Sequence, residues 1–281
     1  MTKLAQRLLV LLVLCSAHAW AAPTDETVWI PYIDPNGTTY QLFAQVCRPP
    51  GQANARVVVI NHGSPANPSE RPTMKPMSCD SETVGWFLQR GYTVVSPMRT
   101  GYGRTGGPFS EGIGYCGAAE FVAAGRDTAR QIAAVVDFAT ALPGARPNGA
   151  IVIGHSAGGW GAVAFDTMPH PKVSAIVSMA GGRGGHAHNT PNANCRPDQL
   201  AVAAGMLASG ATTPMFWLYA ENDTFFDPTI ASSLYAAYAR AGGQAQFLQI
   251  GPFGTDGHQL FVRRGGSTVW GPLLERYLAG R

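Results

Sequence analysis

From Arg56 onward, short apolar runs alternate with longer stretches whose apolar residues recur at helical spacing. The runs Arg56–Ile60, Tyr92–Ser96, Ala150–Ile153, Val173–Met179, Pro214–Tyr219 and Gln246–Ile250 predict strands. Between and after them, helices are expected near Ser81–Gln89, Gly117–Ala141, Ala157–Met168, Pro197–Leu207, Pro228–Ala241 and Thr268–Leu278. That alternation argues for βαβ units and a parallel sheet. Ahead of it, Val28–Tyr32 and Thr39–Cys47 flank the turn signal Asp34-Pro35-Asn36-Gly37, the pattern of an antiparallel hairpin. The sum is one α/β domain over residues 22–281. It is a doubly wound, mostly parallel eight-stranded sheet with helices on both faces and no large lid domain.

Two segments follow neither period: Met98 to Tyr115, rich in glycine, and Gly181 to Asn194. In an open α/β sheet the loops after the strands form the ligand crevice, so both segments are expected to wall a site.

The first 21 residues stand apart. Lys3 and Arg7 precede the apolar stretch Leu8 to Leu14, and Ala19-Trp20-Ala21 follows as an A-x-A cleavage signal. The run is short for a membrane anchor and has the order of a secretory signal peptide. A periplasmic or secreted protein is expected, with no membrane insertion once the signal is removed. Losing Lys3 and Arg7 takes the formal net charge from +3 to +1, which asks for no nucleic-acid partner and no anionic membrane surface. Cys15 lies within the signal, preceded by Leu14 rather than the small residue that lipidation requires. Cys47, Cys79, Cys116 and Cys195 remain, and an even count in an exported chain favours two disulfides. Three connectivities are open.

The candidate chemistry begins at Gly154-His155-Ser156-Ala157-Gly158, between the strand-like run Ala150–Ile153 and a helix-like stretch. Strand, G-x-S-x-G and helix in that order are the context of a nucleophile elbow, with Ser156 the candidate nucleophile. A serine hydroxyl needs an adjacent base, itself oriented by an acid, and in such sites the chain order is Ser, Asp/Glu, His. Asp223, ending the turn after Pro214–Tyr219, is the expected acid. Asp227 directly precedes Pro228 and reads as a helix N-cap, while Glu221 is a second rival nearer the strand. His258 is the only histidine downstream of Asp223 and is the expected base, with Asp256 shaping its loop. The oxyanion hole is expected from the backbone N–H groups of Ala157 and of Ser64, which follows the strand end Asn61-His62-Gly63.

The other histidines have plainer readings: His155 packs beside the elbow and His170 sits in a Pro-His-Pro turn. His186 and His188 lack a third ligand, and no metal site or cofactor is expected. Gly101-Tyr102-Gly103-Arg104-Thr105-Gly106 matches G-x-G-x-x-G but continues as loop instead of opening a helix, so it is no dinucleotide fingerprint.

Taken together, His62-Gly63, Gly154 to Gly158, Asp223 and His258 resemble the α/β-hydrolase superfamily, within it the dienelactone-hydrolase-like serine esterases. The resemblance extends over about residues 28 to 281. It implies a Ser156-Asp223-His258 triad, two backbone oxyanion donors and cleavage of a carboxylic ester through an acyl-enzyme on Ser156. Its substrate would be a small-molecule or polymer ester. Peptide or amide cleavage by the same fold, or a catalytically inactive binding module, are the alternatives. The loop holding Tyr102 resembles the arginine- and glycine-rich loop of many of these hydrolases, where Tyr102 would line the acyl pocket or donate to an oxyanion; His62 and Trp160, near the expected site, are further candidate pocket residues.

Overall fold

A computed structural model describes residues 24–279 and 281; the expected signal peptide lies outside the described residues. Eight strands form one sheet in the order β1-β2-β4-β3-β5-β6-β7-β8. β1 (Thr24–Ile33) and β2 (Thr39–Arg48) make the expected hairpin, and β2 pairs antiparallel with β4 (Tyr92–Pro97). All other pairings are parallel, through β3 (Arg56–Asn61), β5 (Ala150–His155), β6 (Val173–Met179), β7 (Met215–Ala220) and β8 (Ala245–Ile250).

The central strands bury both faces, which is why their sequences read as unbroken apolar runs. On β7, Met215, Trp217 and Tyr219 join the core on one face, while Phe216 and Leu218 join the core on the other. The first core is covered by α2 (Phe121–Thr140), α3 (Ala157–Phe165), α4 (Pro197–Ala208) and α5 (Pro228–Arg240). The second is covered by α1 (Glu82–Leu88) and α6 (Ser267–Leu278). Glu82 accepts hydrogen bonds from the backbone N–H of Gly265 and Ser267, and Thr83 donates to the Phe261 carbonyl. These contacts tie the segment before α6 to α1.

The expected elements match with three adjustments, one being that α3 ends at Phe165, three residues short of Met168. β1 begins four residues earlier than its apolar run, because the polar stretch from Thr24 to Thr27 continues the ladder with β2 on an exposed edge. α2 begins at Phe121 instead of Gly117, because Cys116–Ala118 forms a separate 3-10 turn.

Disulfides join Cys47 to Cys79 and Cys116 to Cys195, resolving the open connectivity. The second joins the residues that directly follow the two irregular segments, across 79 residues of sequence. Replacing Cys116 and Cys195 together by serine is expected to lower the unfolding free energy by about 2–4 kcal/mol in equilibrium denaturation. An unchanged denaturation midpoint would show the bridge to be dispensable.

Candidate active site

The turn from β5 into α3 places Ser156 at φ 55°, ψ −120°, a conformation that side chains other than glycine adopt at a cost. Surrounding backbone leaves no room for alternatives. A Cβ on Gly154 would stand 2.0 Å from the Gly158 carbonyl oxygen, and one on Gly158 would stand 2.4 Å from that of Asn61. A Cβ on Gly63 would meet the Ser156 Cβ at 2.9 Å. The strained residue is held by its own hydrogen bonds: its N–H donates to the Met179 carbonyl at 2.9 Å, and its carbonyl accepts from Trp160 and Gly182.

Ala157 opens α3, so its N–H belongs to the first turn, where helical partners do not exist. Ser64 follows the Gly63 that packs on the elbow. Among the described residues neither of these two N–H groups has an acceptor. Ser64 and Ala157 both line, with Ser156, a cavity of about 250 Å³.

The expected acid and base come together. Asp223 accepts the Nδ1–H of His258 at 3.0 Å, and its Oδ1 also accepts from the backbone N–H of Phe225 and Phe226. Both side chains are buried. With Nδ1–H committed to the carboxylate, Nε2 is left as the basic nitrogen. Asp227 instead caps α5, accepting from Thr229 and Ile230, and Glu221 is exposed. Asp256 accepts from the N–H groups of Thr224 and His258, fixing the loop that carries the expected base. His155 donates from Nε2 to the His258 carbonyl at 2.8 Å; burial, then the neighbouring His258, pull its pKa down to about 3. Ser156 Oγ and His258 Nε2 make no direct hydrogen bond in this state, and the Phe225 ring stacks on His258 at 4.1 Å. His186 stacks on Phe225 at 3.5 Å and bonds Thr224.

Sequence reasoning missed a buried ionic cluster at the cavity wall. Arg99 grips Glu111 through Nε at 2.6 Å and Nη2 at 3.1 Å. Arg183 Nη2 reaches Glu111 at 2.9 Å, and the Thr128 hydroxyl donates to it at 2.7 Å. Burial alone would raise the Glu111 carboxyl, but Arg183 and Arg99 hold it well below the usual carboxylate range. The Tyr102 hydroxyl donates to Glu111 at 2.5 Å and accepts from Ser64 Oγ at 2.9 Å. Arg99 also donates from Nη1 to the His62 carbonyl, and its N–H reaches His62 Nε2. The cluster therefore clamps the His62-Gly63-Ser64 segment. The only sequence hint was charge inside glycine-rich loops.

Three candidate pocket residues are corrected here: His62, Tyr102 and Trp160 do not line the cavity. Tyr102 is fully buried because its hydroxyl serves Glu111, which leaves its ring packed between His62 and Phe109. Trp160 is 1% exposed and donates its Nε1–H to the Phe121 carbonyl, making it a core residue of α3 against α2. The His62 ring turns inward, donating from Nδ1 to the Gly63 carbonyl, and burial followed by Arg99 takes its pKa down to about 3. The cavity walls are instead supplied by Phe109, Ile113, Phe225, Phe226, Arg71, Glu111 and Arg183.

The profile of the alpha/beta hydrolase family matches residues 57–279. A search of curated protein sequences finds no match. Among solved structures, an acetyl xylan esterase from Paenibacillus sp. R4 superposes with a TM-score of 0.61 at 13% identity, over 92% of this chain and 88% of the other. An esterase of Pyrococcus furiosus gives 0.56 at 15% identity, over 90% and 91%. A candidate dienelactone hydrolase from Klebsiella pneumoniae subsp. pneumoniae MGH 78578 gives 0.60 at 16% identity, over 93% and 100%.

Two outcomes follow from this geometry. His62 and His155 are neutral when folded but protonate near pH 6.5 when unfolded, so the unfolded chain binds more protons below that pH. Stability, complete above pH 6.5, is expected to fall toward pH 3 by up to about 1.4 kcal/mol per pH unit for each histidine. Urea midpoints at pH 7, 6 and 5 read the slope, which His155→Gln should make shallower; a flat profile contradicts the assignment. Tyr102→Phe removes one donor from a buried carboxylate and is expected to cost about 1–3 kcal/mol, measured as a lower denaturation midpoint.

Proposed function

Because the chain belongs to the alpha/beta hydrolase family, we propose that it is an exported serine hydrolase that cleaves carboxylic esters through an acyl-enzyme on Ser156. The observation that carries this reading is the strained Ser156 backbone, at the wall of a cavity that Ser64 and Ala157, whose N–H groups have no acceptor among the described residues, also line. The esterases among the structural neighbours support an ester as the substrate.

In the proposed reaction His258 Nε2 takes the Ser156 hydroxyl proton as Oγ attacks the ester carbonyl. Their hydrogen bond forms once substrate is bound, as catalytic hydrogen bonds tighten in the Michaelis complex. The N–H groups of Ser64 and Ala157 stabilise the oxyanion, each worth on the order of 10²–10³ in turnover. The tetrahedral intermediate collapses by breaking the bond to the alcohol oxygen, which leaves with the proton from His258. Water then gives a proton to His258 and attacks the acyl carbonyl; the free acid departs and the Ser156 hydroxyl is restored. Asp223 keeps Nδ1–H pointed at itself, so Nε2 is the nitrogen that exchanges protons throughout.

Export is the second part of the proposal, with cleavage after Ala21. Two disulfides favour an oxidising compartment, and among the described residues no helix is long and apolar enough to cross a membrane.

Ser156→Ala is expected to lower kcat on short-chain esters by at least about 10³-fold, and a fluorophosphonate should add to Ser156 in the native protein only. Asp223→Asn should cost on the order of 10³–10⁴, whereas Asp227→Asn should leave turnover within a few-fold. Full activity of the Ser156→Ala protein would sink the reading. N-terminal sequencing of the exported protein should begin at Ala22.

A further inference from the structure

Two aromatic contacts made by Phe225 have no part in the steps above. Its ring stacks on His258 at 4.1 Å with 22° between the planes, and His186 stacks on it at 3.5 Å with 9°. Two rings this near and this parallel cannot share one face of a phenyl group without overlapping. They cover opposite faces, and Phe225 is the middle of a three-ring stack that ends on the proposed base.

The stack is built from both sides. Phe225 donates its backbone N–H to Asp223 Oδ1 at 2.8 Å, so the carboxylate that orients His258 also places the ring beside it. From the other side, the Gly181–Asn194 loop grips the turn after Asp223 at three points. The Asn192 N–H donates to the Thr224 carbonyl at 2.8 Å, Asn194 Nδ2 donates to the Phe225 carbonyl, and His186 Nε2 bonds the Thr224 hydroxyl at 2.9 Å. Gly185 permits the approach, since a Cβ there would stand 2.9 Å from the Phe225 carbonyl oxygen. His186 itself sits at φ 53°, ψ 45°, a left-handed conformation that a histidine adopts at a cost, and these contacts hold it there. Burial pulls the His186 pKa down, so the backing ring is neutral at neutral pH.

We propose that His186 is a positioning residue for the base: by backing Phe225 it holds the His258 imidazole to one plane, in which Nε2 closes on Ser156. This rests on the serine-esterase reading. Asp223 fixes the imidazole at Nδ1, and a single hinge of that kind lets a ring tilt. A parallel ring against its face blocks the tilt while leaving it free to slide in its own plane. Once His258 has taken the Ser156 proton, the face of Phe225 also favours the cation above it. Phe225 borders the cavity and His186 does not, so the backing ring acts on the base only through Phe225.

The test compares variants at His186 by kcat and KM on one short-chain aryl ester. His186→Ala and His186→Leu should each lower kcat about tenfold and leave KM within about threefold, the signature of a misplaced base beside an intact cavity. His186→Phe keeps a flat ring without the bond to Thr224, and it should bring kcat back to within about threefold of native. Fluorophosphonate labelling of Ser156 should follow kcat across the series, because both depend on the base. Proton NMR of the native protein needs no variant at His186. The imidazole C–H resonances of His258, identified by their loss in His258→Gln, should lie upfield from the ring current of Phe225 and move downfield in Phe225→Leu. Unchanged kcat in His186→Ala, full rescue by His186→Leu, a loss carried by KM alone, or unshifted His258 resonances in the native protein would each overturn the positioning role. No turnover and no labelling of Ser156 in the native protein would instead overturn the esterase reading beneath it.

Discussion

Three backbone segments converge on Ser156 so closely that no side chain fits between them. The end of β3 passes over the elbow at Gly63 and Gly158, and Gly154 faces the Gly158 carbonyl. The loop after β6 closes the third side, with Gly182 bonded to the Ser156 carbonyl. Everything proposed for the site depends on this contact, because it forces Ser156 into its strained φ and sets Ser64 and Ala157 beside the hydroxyl. The strain costs on the order of 1–3 kcal/mol. It persists because β3, β5 and β6 are buried on both faces and cannot move apart without opening two cores.

Long irregular segments rarely hold a defined shape by themselves, yet two of them wall this cavity. Charge and covalency supply what periodic hydrogen bonding does not. Glu111 draws Arg99, Tyr102 and Arg183 onto one carboxylate, so both loops and α2 share an anchor. Cys116 and Cys195 bind the same loops a second time. A buried carboxylate with this many donors is geometrically demanding, and removing any partner leaves charge exposed to a dry interior. The cluster also reaches the proposed oxyanion loop, through Arg99 on His62 and Tyr102 on Ser64. The loop carrying His258 is ordered differently, by Asp256, His155 and the contacts of α1 with the segment before α6.

Legibility in the sequence followed the range of the forces involved. Strands and helices were readable because burial of both sheet faces writes itself into contiguous apolar runs, and element ends shifted only where a local event intervened. The polar residues from Thr24 to Thr27 joined β1 through backbone pairing, which leaves no apolar trace. The choice of Asp223 over Asp227 and Glu221 rested on order along the chain. In the structure Asp223 is the carboxylate that meets His258, while Asp227 accepts from the α5 N-terminus and Glu221 faces solvent. His62, Tyr102 and Trp160 were misplaced for one reason. Proximity in sequence to a site says nothing about side-chain direction, and each side chain is held by a hydrogen bond within the protein: His62 to the Gly63 carbonyl, Tyr102 to Glu111 and Trp160 to the Phe121 carbonyl.

The sequence alone determined the architecture, the elbow and the order of the proposed nucleophile, acid and base, because these follow from local periodicity, glycine sterics and chain direction. Tertiary structure alone decided which cysteines pair, and that Glu111 meets Arg99 and Arg183 across 12 and 72 positions of chain. It also decided that Arg71 and Arg183 line the same cavity as Ser156, each with its Nε buried and unpartnered. Such contacts arise where loops from different strands meet in space. No spacing rule in a single chain encodes them, because the sheet, and not the sequence interval, sets the distance.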